Sequence, residues 1–443
     1  MKRKYRNIVI GMIAVGLLSG CQGKQAETAD TEQETSIENE EEIQETSDPT
    51  EEVEVLLESD MFTDRDKEIG YDETSCVSIQ LSDEGVVAEG ENVWVEENTV
   101  TIQGEGTYLL TGSLSNGQII INGEKTDNIH LILDGVSVAC ADSAALYIKQ
   151  ADKVVCTLAE NTTNLFSNGE GFPKEEEDNV DAAVFSKDDL TWNGTGILKI
   201  QSQGNGITSK NDLVFSGGEY EITSEGHGLE GKESVKIAEG DFSITSGKDG
   251  IHAEDKDDTS QGFLYIADGT FVIHAQGDGM DAATVLQMDG GDITIVAGGG
   301  SSEADLSRSS NPPMFRQNET SNETEEETAS TKGLKAGQMV RILQGNLQVD
   351  TLDDALHSNG DIVVESGTCS LSSGDDAIHG DNSVTIRGGD VEIPICYEGI
   401  EAMNILVEGG NISLTATDDG INAAGGEESE NTGGFMGEVS ENN

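Results

Sequence analysis

Apolar and polar residues alternate in short segments along most of the chain. Residues 384–393, for example, read VTIRGGDVEI, with apolar side chains at every second position on both sides of a glycine pair. A period of two residues predicts half-buried β-strands. No segment keeps a 3.6-residue apolar period over three helical turns, so we expect almost no helix.

The strands recur at a regular spacing. A small residue followed by an apolar one returns once per repeat, with longer intervals only from Gly250 to Gly279 and from Gly279 to Gly333. A second ladder of glycines supplies the backbone angles that turn one strand into the next. We therefore predict an all-β fold, a single-stranded parallel β-helix with roughly 22-residue coils and three short strands per coil. The small residues are Gly206, Gly228, Gly250, Gly279, Gly333, Ala355, Ala377, Gly399 and Gly420, and the ladder contains Gly218, Gly240, Gly269, Gly291, Gly345, Gly367, Gly389 and Gly410.

Composition and spacing together predict the domain organisation. We assign residues 71–426 to the β-helix, with a mobile Ser-, Asn- and Glu-rich insertion at 300–330 that accounts for the long interval between Gly279 and Gly333. Residues 21–70 are acidic and poor in aromatic residues, so we expect a disordered and solvated tether. Residues 427–443 are expected to form a disordered tail.

The N-terminus has the pattern of an export signal. A basic stretch at residues 2–6 precedes an apolar run at residues 8–18. The sequence LSGC that follows resembles a bacterial lipobox, which implies a signal peptide at residues 1–20 and lipidation of Cys21. We therefore expect an exported protein, anchored by lipid to the extracellular face of the cell membrane. An ordinary signal peptide with a chance cysteine is the alternative.

Five further cysteines lie in the predicted β-helix without a CxxC pair. Because an unpaired cysteine packs like a small apolar side chain, we expect most of them in the core. Formation of one disulfide among them is the alternative, since the protein is expected to be exported. These residues are Cys76, Cys140, Cys156, Cys369 and Cys396.

The net charge excludes one class of partner. The chain has 24 Lys and Arg against 86 Asp and Glu, a formal charge of −62 at pH 7. Binding to nucleic acid requires a basic face that releases counterions from phosphates. We therefore expect no nucleic-acid partner.

Part of this negative charge recurs with the period of the repeats. Acidic residues precede the small residue of successive repeats, and stacked carboxylates repel unless a cation or solvent relieves them. Carboxylates at turns suit Ca²⁺, which takes six to eight oxygen ligands. A solvated acidic turn is the alternative, and zinc is disfavoured because the histidines come one per coil without close pairing. The predicted Ca²⁺ ligands are Asp249, Asp278, Asp353, Asp354, Asp375, Asp376, Asp418 and Asp419.

Other side chains on the same edge are candidates for contact with a ligand. Lys332 and Lys335 could hold an anionic or hydroxyl-rich ligand, or simply neutralise the acids. The histidines, including His252, could donate to sugar hydroxyls or solvate the turns. We assign no catalytic residue, and the predicted substrate-binding residues are Lys332, Lys335, His357, His379, Tyr397, Glu398 and Glu401.

Several motifs in register carry a resemblance to a known family. The chain resembles clostridial carbohydrate-binding β-helix proteins, which are related in fold to polysaccharide lyases. The resemblance covers roughly residues 76–425, and the insertion at 300–330 departs from it. It implies a right-handed parallel β-helix, Ca²⁺ binding, and a polysaccharide partner, cellulose or an acidic pectin-like glycan. The motifs are residues 331–336 (TKGLKA), 353–358 (DDALHS), 375–380 (DDAIHG), 397–402 (YEGIEA) and 418–423 (DDGINA).

Three functions follow as expectations. The first is a surface lipoprotein that binds a glycan, for which Trp94, Trp192 and Tyr397 are the main aromatic candidates. The second is a Ca²⁺-dependent lyase of the pectate type, with Lys332 or Lys335 as the base for β-elimination. Acidic surroundings disfavour the lyase, because they stabilise the charged ammonium. The third is a structural or adhesive stalk without specific sugar affinity.

Overall fold

Almost all regular structure in the described residues is β-strand, so the all-β prediction is confirmed. The computed structural model describes residues 55–72, 74–169, 171, 179–304, 306 and 330–423. The chain divides into two compact units, Met1–Glu52 and Val53–Asn443, and every described residue belongs to the second. The predicted signal peptide, Cys21 and the C-terminal tail at 427–443 lie outside the described residues, as do most of the tether and of the 300–330 insertion.

Two short helical turns interrupt the described strands. Helix α1 comprises Glu58–Met61, and a single 3₁₀ turn comprises Ser301–Glu303. Within the described ranges, neither helical segment has the length and apolar character needed to cross a bilayer.

The strands are numbered in chain order. The first ten are β1 Val77–Leu81, β2 Val87–Ala88, β3 Val93–Glu96, β4 Thr99–Ile102, β5 Gly106–Leu114, β6 Gln118–Asn122, β7 Asn128–Cys140, β8 Leu146–Gln150, β9 Lys153–Leu158 and β10 Thr163–Asn168. The next thirteen are β11 Ala182–Ser186, β12 Asp189–Gly194, β13 Ile197–Ser202, β14 Asn205–Ser209, β15 Asp212–Ser224, β16 Leu229–Gly231, β17 Ser234–Ser246, β18 Ile251–Ala253, β19 Phe263–Ile266, β20 Thr270–Ala275, β21 Met280–Ala282, β22 Val285–Met288 and β23 Asp292–Ala297. The last eleven are β24 Leu334–Ala336, β25 Met339–Ile342, β26 Asn346–Thr351, β27 Leu356–Ser358, β28 Asp361–Val364, β29 Thr368–Ser373, β30 Ile378–Ile386, β31 Asp390–Cys396, β32 Ile400–Val407, β33 Asn411–Ala416 and β34 Ile421–Ala423.

Each repeat lies beside the next one through parallel pairing. Strand β24 pairs with β27, and β27 pairs with β30, in each case joining residues one sequence repeat apart. Strands β25 and β28 pair in the same way, as do β26 and β29. Among the described strands only the pairs β1–β2 and β3–β4 are antiparallel. One sequence repeat therefore contributes three strands, and each of them pairs with the equivalent strand of the next repeat.

Apolar side chains of corresponding strands stack on one another in the interior. Tyr220, Phe242 and Phe271 come from three successive repeats, and their ring centroids are 4.8 Å apart at both steps. Such stacks bury large apolar surfaces in a well-defined geometry. Trp192 is fully buried, whereas Trp94 on β3 is 60% exposed. Trp192 therefore belongs to the core, and it is not available to a glycan.

The predicted glycine ladder occupies a backbone conformation that other residues rarely adopt. All eight of its members have positive φ. At Gly389 φ is 88°, and an added Cβ would lie 2.7 Å from the carbonyl oxygen of Gly367 in the preceding repeat. Glycine is required there both by the backbone angle and by the close approach of the neighbouring chain.

Part of the segment at residues 55–70, for which a solvated tether is predicted, contacts the strands around Asp66. Asp66 is only 1% exposed, and its Oδ1 accepts a hydrogen bond from Thr191 at 2.6 Å and an ion pair from Lys153 at 2.7 Å. The amide of Asn193 donates to the carbonyl oxygens of Asp66 and Glu68. An acidic composition predicts solvation, but here a lysine and several donors compensate the buried carboxylate.

Four cysteines are buried thiols in the core, as predicted. Burial raises the pKa of Cys369 to about 12 and, together with nearby acids, that of Cys396 to about 11. Thiols protonated in this way are poor nucleophiles. The four are Cys140, Cys156, Cys369 and Cys396, while Cys76 is half-buried.

Candidate functional site

The residues that precede the small residue of each repeat lie in one line, which we name the turn column. The amide of Gly333 donates to the carbonyl oxygen of Asp354 at 2.9 Å, and that of Ala355 donates to Asp376 at 3.0 Å. The same hydrogen bond recurs from repeat to repeat, so the predicted stacking is confirmed. The turn column contains Asn205, His227, Asp249, Asp278, Lys332, Asp354, Asp376, Glu398 and Asp419.

A second line of polar residues runs beside the first, and we name it the strand column. Its members are the second residues of parallel strands and are paired directly from one repeat to the next. His252 pairs with Asp281, and Asp281 pairs with Lys335, although the 300–330 insertion separates these last two along the chain. The strand column contains Glu230, His252, Asp281, Lys335, His357, His379, Glu401 and Asn422.

The two lysines of the columns form ion pairs with three of the predicted metal-ligating acids and with Asp281. Lys332 Nζ lies 2.7 Å from Asp353 Oδ2 and 3.0 Å from Asp354 Oδ2. Lys335 Nζ lies 2.9 Å from Asp278 Oδ2 and 3.1 Å from Asp281 Oδ2. Both lysines therefore neutralise neighbouring acids, which is one of the two roles expected for them.

Both lysines are held in the charged form. Burial opposes the charge of Lys335, but Asp281 and Asp278 outweigh this effect and raise its pKa. The pKa of Lys332 is raised for the same reason, by Asp354 and Asp353. An ammonium group stabilised in this way is a poor general base, because a base must first lose its proton.

The carboxylates of Asp353, Asp354 and Asp375 converge. Each offers an oxygen atom, and these atoms lie within 4.8 Å of one another. Asp354 Oδ1 accepts the backbone N–H of Asp376 at 3.1 Å, which fixes the carboxylate within this group. Three hard oxygen donors with one lysine as partner could share a divalent cation.

Histidine and carboxylate pairs occupy the next positions of the columns. His357 Nδ1 lies 2.9 Å from Asp354 Oδ2, and His379 Nδ1 lies 2.8 Å from Asp376 Oδ2. The hydrogen bond to Asp376 raises the pKa of His379 to about 9, against the opposing effect of burial. Burial raises the pKa of Asp376, and the charges of Asp354 and Asp375 add to this. Negative charge therefore remains in excess here.

The last repeats are also acidic, but they are more open. Burial raises the pKa of Glu398, and repulsion from Glu401 and other nearby acids adds to this effect. The side-chain amide of Asn422 donates to Glu398 at 3.1 Å, which opposes the shift. Tyr397 Oη donates to Asp418 at 3.1 Å. Asp418 and Asp419 are exposed, and neither joins a metal-sized group among the described residues.

Hollows of the surface border the columns. One of about 510 Å³ is lined by His252, Asp281 and Lys335, and another of about 460 Å³ is lined by His227 and Glu230, among other residues. A larger hollow of about 820 Å³ contains no residue of either column. The hollows along the columns combine open space with charge, so they suit a polar ligand.

Sequence reasoning missed three members of this edge as site residues. His227 contacts Asp249, Glu230 interacts electrostatically with His252, and Asp281 forms a group with Asp249 and Asp278 within 4.8 Å. The signal that could have found them is the column register itself, because each occupies the position equivalent to a predicted residue in another repeat.

Three comparisons relate the chain to known proteins. A family model described as "Carbohydrate-binding domain-containing protein" matches residues 96–377. A curated protein of Acetivibrio thermocellus with the same description is 36% identical over 131 residues, which are 29% of this chain and 46% of that protein. The chain therefore spans about half the length of this relative. A solved structure described as a polysaccharide lyase-like protein from C. thermocellum, in a gadolinium derivative, is 32% identical with a TM-score of 0.49, over 51% of this chain and 92% of that chain.

Proposed function

Because the chain belongs to the family of carbohydrate-binding domain-containing proteins, we propose that it binds a polysaccharide along the turn and strand columns. The observation that carries this proposal is the register of the two columns. Charged groups repeat at every step of the parallel strands, from His227 to Asp419. A polymer presents its own groups repeatedly, so an edge of this kind suits an extended chain better than a small molecule.

The proposed architecture is a right-handed parallel β-helix with one coil per repeat. Parallel pairing of residues one repeat apart supports it, as do the three strands within each repeat. In such a fold neighbouring strands are about 4.8 Å apart, so charges of the same column are close enough to bind one ligand.

The proposed cofactor is Ca²⁺, which Asp353, Asp354 and Asp375 would hold. Their oxygen donors are the kind that Ca²⁺ prefers, and the acids around Asp376 exceed the charge that Lys332 compensates. When bound, the ion would supply positive charge at an edge that otherwise repels an anionic glycan.

The two proposed glycan classes place different demands on this edge. A polyuronate is anionic, so its binding depends on metal bridging. Cellulose is neutral and is commonly held by exposed aromatic rings, for which only Trp94 and Tyr397 remain among the proposed candidates, since Trp192 is buried.

Export and a lipid anchor at Cys21 complete the proposal and would place the edge outside the cell. Replacement of Cys21 by serine should release the protein from membranes.

Adsorption tests the proposed function directly. The protein is incubated with insoluble cellulose and with pectin gel, with and without EDTA, and the retained fraction is measured. We expect retention on pectin that EDTA abolishes. The variant Asp375→Asn should weaken Ca²⁺ binding and retention, whereas Asp241→Asn, an exposed acid on β17, should change neither.

The outcomes separate the competing functions. No retention on either glycan would refute the proposal and favour a structural stalk. Retention on cellulose that EDTA does not change would refute the calcium-dependent part. Absorbance of unsaturated uronate after addition of Ca²⁺ would instead establish a lyase, which the charged states of Lys332 and Lys335 disfavour.

A further inference from the structure

Two histidines from different repeats face the same carboxylate. His227 in the turn column and His252 in the strand column stack, with ring centroids 4.7 Å apart and ring planes inclined by 16°. Asp249 lies beside both rings, and the side chains of these three residues are only 14–21% exposed. The three therefore form a compact and largely enclosed set of two nitrogen donors and one oxygen donor.

Their donor atoms are spaced like metal ligands. Asp249 Oδ2 lies 3.2 Å from His227 Nδ1 and 3.5 Å from His252 Nδ1. Both nitrogen atoms are buried, and their contacts with the neighbouring carboxylates do not have hydrogen-bond geometry. Zinc binds nitrogen at about 2.0–2.1 Å, so ligand atoms at the corners of its tetrahedron lie about 3.3 Å apart.

The other histidines of the strand column make a different contact. His357 and His379 approach their aspartates to 2.9 and 2.8 Å, which are ordinary hydrogen-bond lengths. The longer and unsatisfied contacts around Asp249 are therefore specific to this position, and they do not follow from the column geometry in general.

Neighbouring groups orient the carboxylate and leave negative charge in excess. Asp249 Oδ1 accepts the backbone N–H of Asp278 at 2.7 Å, so Oδ2 remains for the histidines. Asp281 Oδ2 lies 3.5 Å from His252 Nδ1 and could complete the set. The charged side chains around the site include six carboxylates, Asp181, Glu230, Asp249, Glu254, Asp278 and Asp281, and three ammonium groups, Lys210, Lys248 and Lys335.

We propose that Asp249 and its two histidines bind a divalent transition metal ion such as Zn²⁺, with Asp281 as the fourth ligand. Imidazole nitrogen favours zinc and related ions, whereas Ca²⁺ prefers oxygen donors. This site is separate from the proposed Ca²⁺ group at Asp353 and does not depend on it. The sequence-based argument against zinc assumed no close pairing of histidines, and that premise is wrong for His227 and His252.

Zinc titration of the full chain tests the proposal. The protein is stripped with EDTA, dialysed, and titrated calorimetrically with Zn²⁺ in the presence of excess Ca²⁺. We expect one tight equivalent in the parent and affinity lower by at least roughly tenfold in His252→Gln and His227→Gln. His274→Gln replaces an exposed histidine on β20 that belongs to no metal-sized group of the described residues, so this control should bind like the parent.

A second measurement needs no variant. Co²⁺ bound to the proposed ligands should give the intense visible d–d absorption of tetrahedral coordination, and Zn²⁺ should bleach it. Absence of tight Zn²⁺ binding, equal affinities in all variants, or a weak octahedral Co²⁺ spectrum would each overturn the proposal and favour a protonated His252 shared by its aspartates. Calcium-dependent glycan retention is measured separately, on the parent protein with Ca²⁺ and without Zn²⁺, so the two proposals can fail independently.

Discussion

Protonation of His379 should make part of the stability depend on pH. The hydrogen bond to Asp376 raises the pKa of His379 to about 9 in the folded protein, whereas an unfolded histidine titrates near 6.5. A raised folded pKa stabilises the protein fully below the unfolded value, and this contribution is lost as the pH rises through the folded value. We therefore expect the contribution of His379 to fall between pH 6.5 and pH 9.

The size of this contribution follows from the same two values. Each unit of pKa difference corresponds to about 1.4 kcal/mol, so the interval sets an upper limit of about 3 kcal/mol. The His379 side chain is 28% exposed, and solvent screening reduces this limit. A loss of about 1–2 kcal/mol between the two pH values is the expected result.

The assay compares the parent with His379→Gln by thermal unfolding at pH 6.5, 7.5, 8.5 and 9.5 in EDTA. Unfolded thiols also titrate near pH 8.5, so only the difference between the two proteins is informative. The melting temperatures should converge as the pH rises, and the variant His274→Gln, an exposed histidine on β20, should follow the parent throughout. A constant difference between parent and His379→Gln at all four pH values would refute the reasoning.

Two further substitutions test the fold. Gly389→Ala should lower the free energy of unfolding by about 1–3 kcal/mol, because both its φ and the carbonyl of Gly367 exclude a Cβ. Gly70 has open space around it, so Gly70→Ala is the control and should be nearly neutral in thermal melts. Asp66→Ala should cost about 3–5 kcal/mol by leaving the ammonium of Lys153 without its buried partner, and chemical denaturation measures this. Equal stabilities of the two glycine variants, or an Asp66→Ala protein as stable as the parent, would contradict these expectations.

The strands and the columns were predictable because parallel pairing conserves register. Asp281 and Lys335 are direct neighbours despite the long insertion between them, since the chain leaves and re-enters the same line of strands. The glycine ladder was predictable for a related reason. Positive φ is needed wherever one strand turns into the next, and Gly389 meets this need one repeat after Gly367.

Other features depend on contacts that no periodic pattern encodes. The segment at residues 55–70 has a tether-like composition, yet Asp66 accepts a hydrogen bond from Thr191, which lies several repeats further along the chain. The partners of Lys332 and Lys335 depend on where long, flexible side chains end, and register fixes only their Cβ positions. The sequence therefore allows two roles for these lysines, neutralisation of the acids and contact with a ligand, and it does not distinguish between them.

The histidines give the clearest reason to examine such sequences across repeats as well as along the chain. In a helix or a tight loop, metal ligands are recognised by short spacings of a few positions. In stacked parallel strands, a separation of one whole repeat also means adjacency. His227 and His252 are more than a repeat apart in sequence, because they belong to different columns of successive repeats, and their rings are nevertheless in contact. A spacing rule applied within single repeats must overlook such a pair, whereas the two columns, once aligned, place both histidines against Asp249.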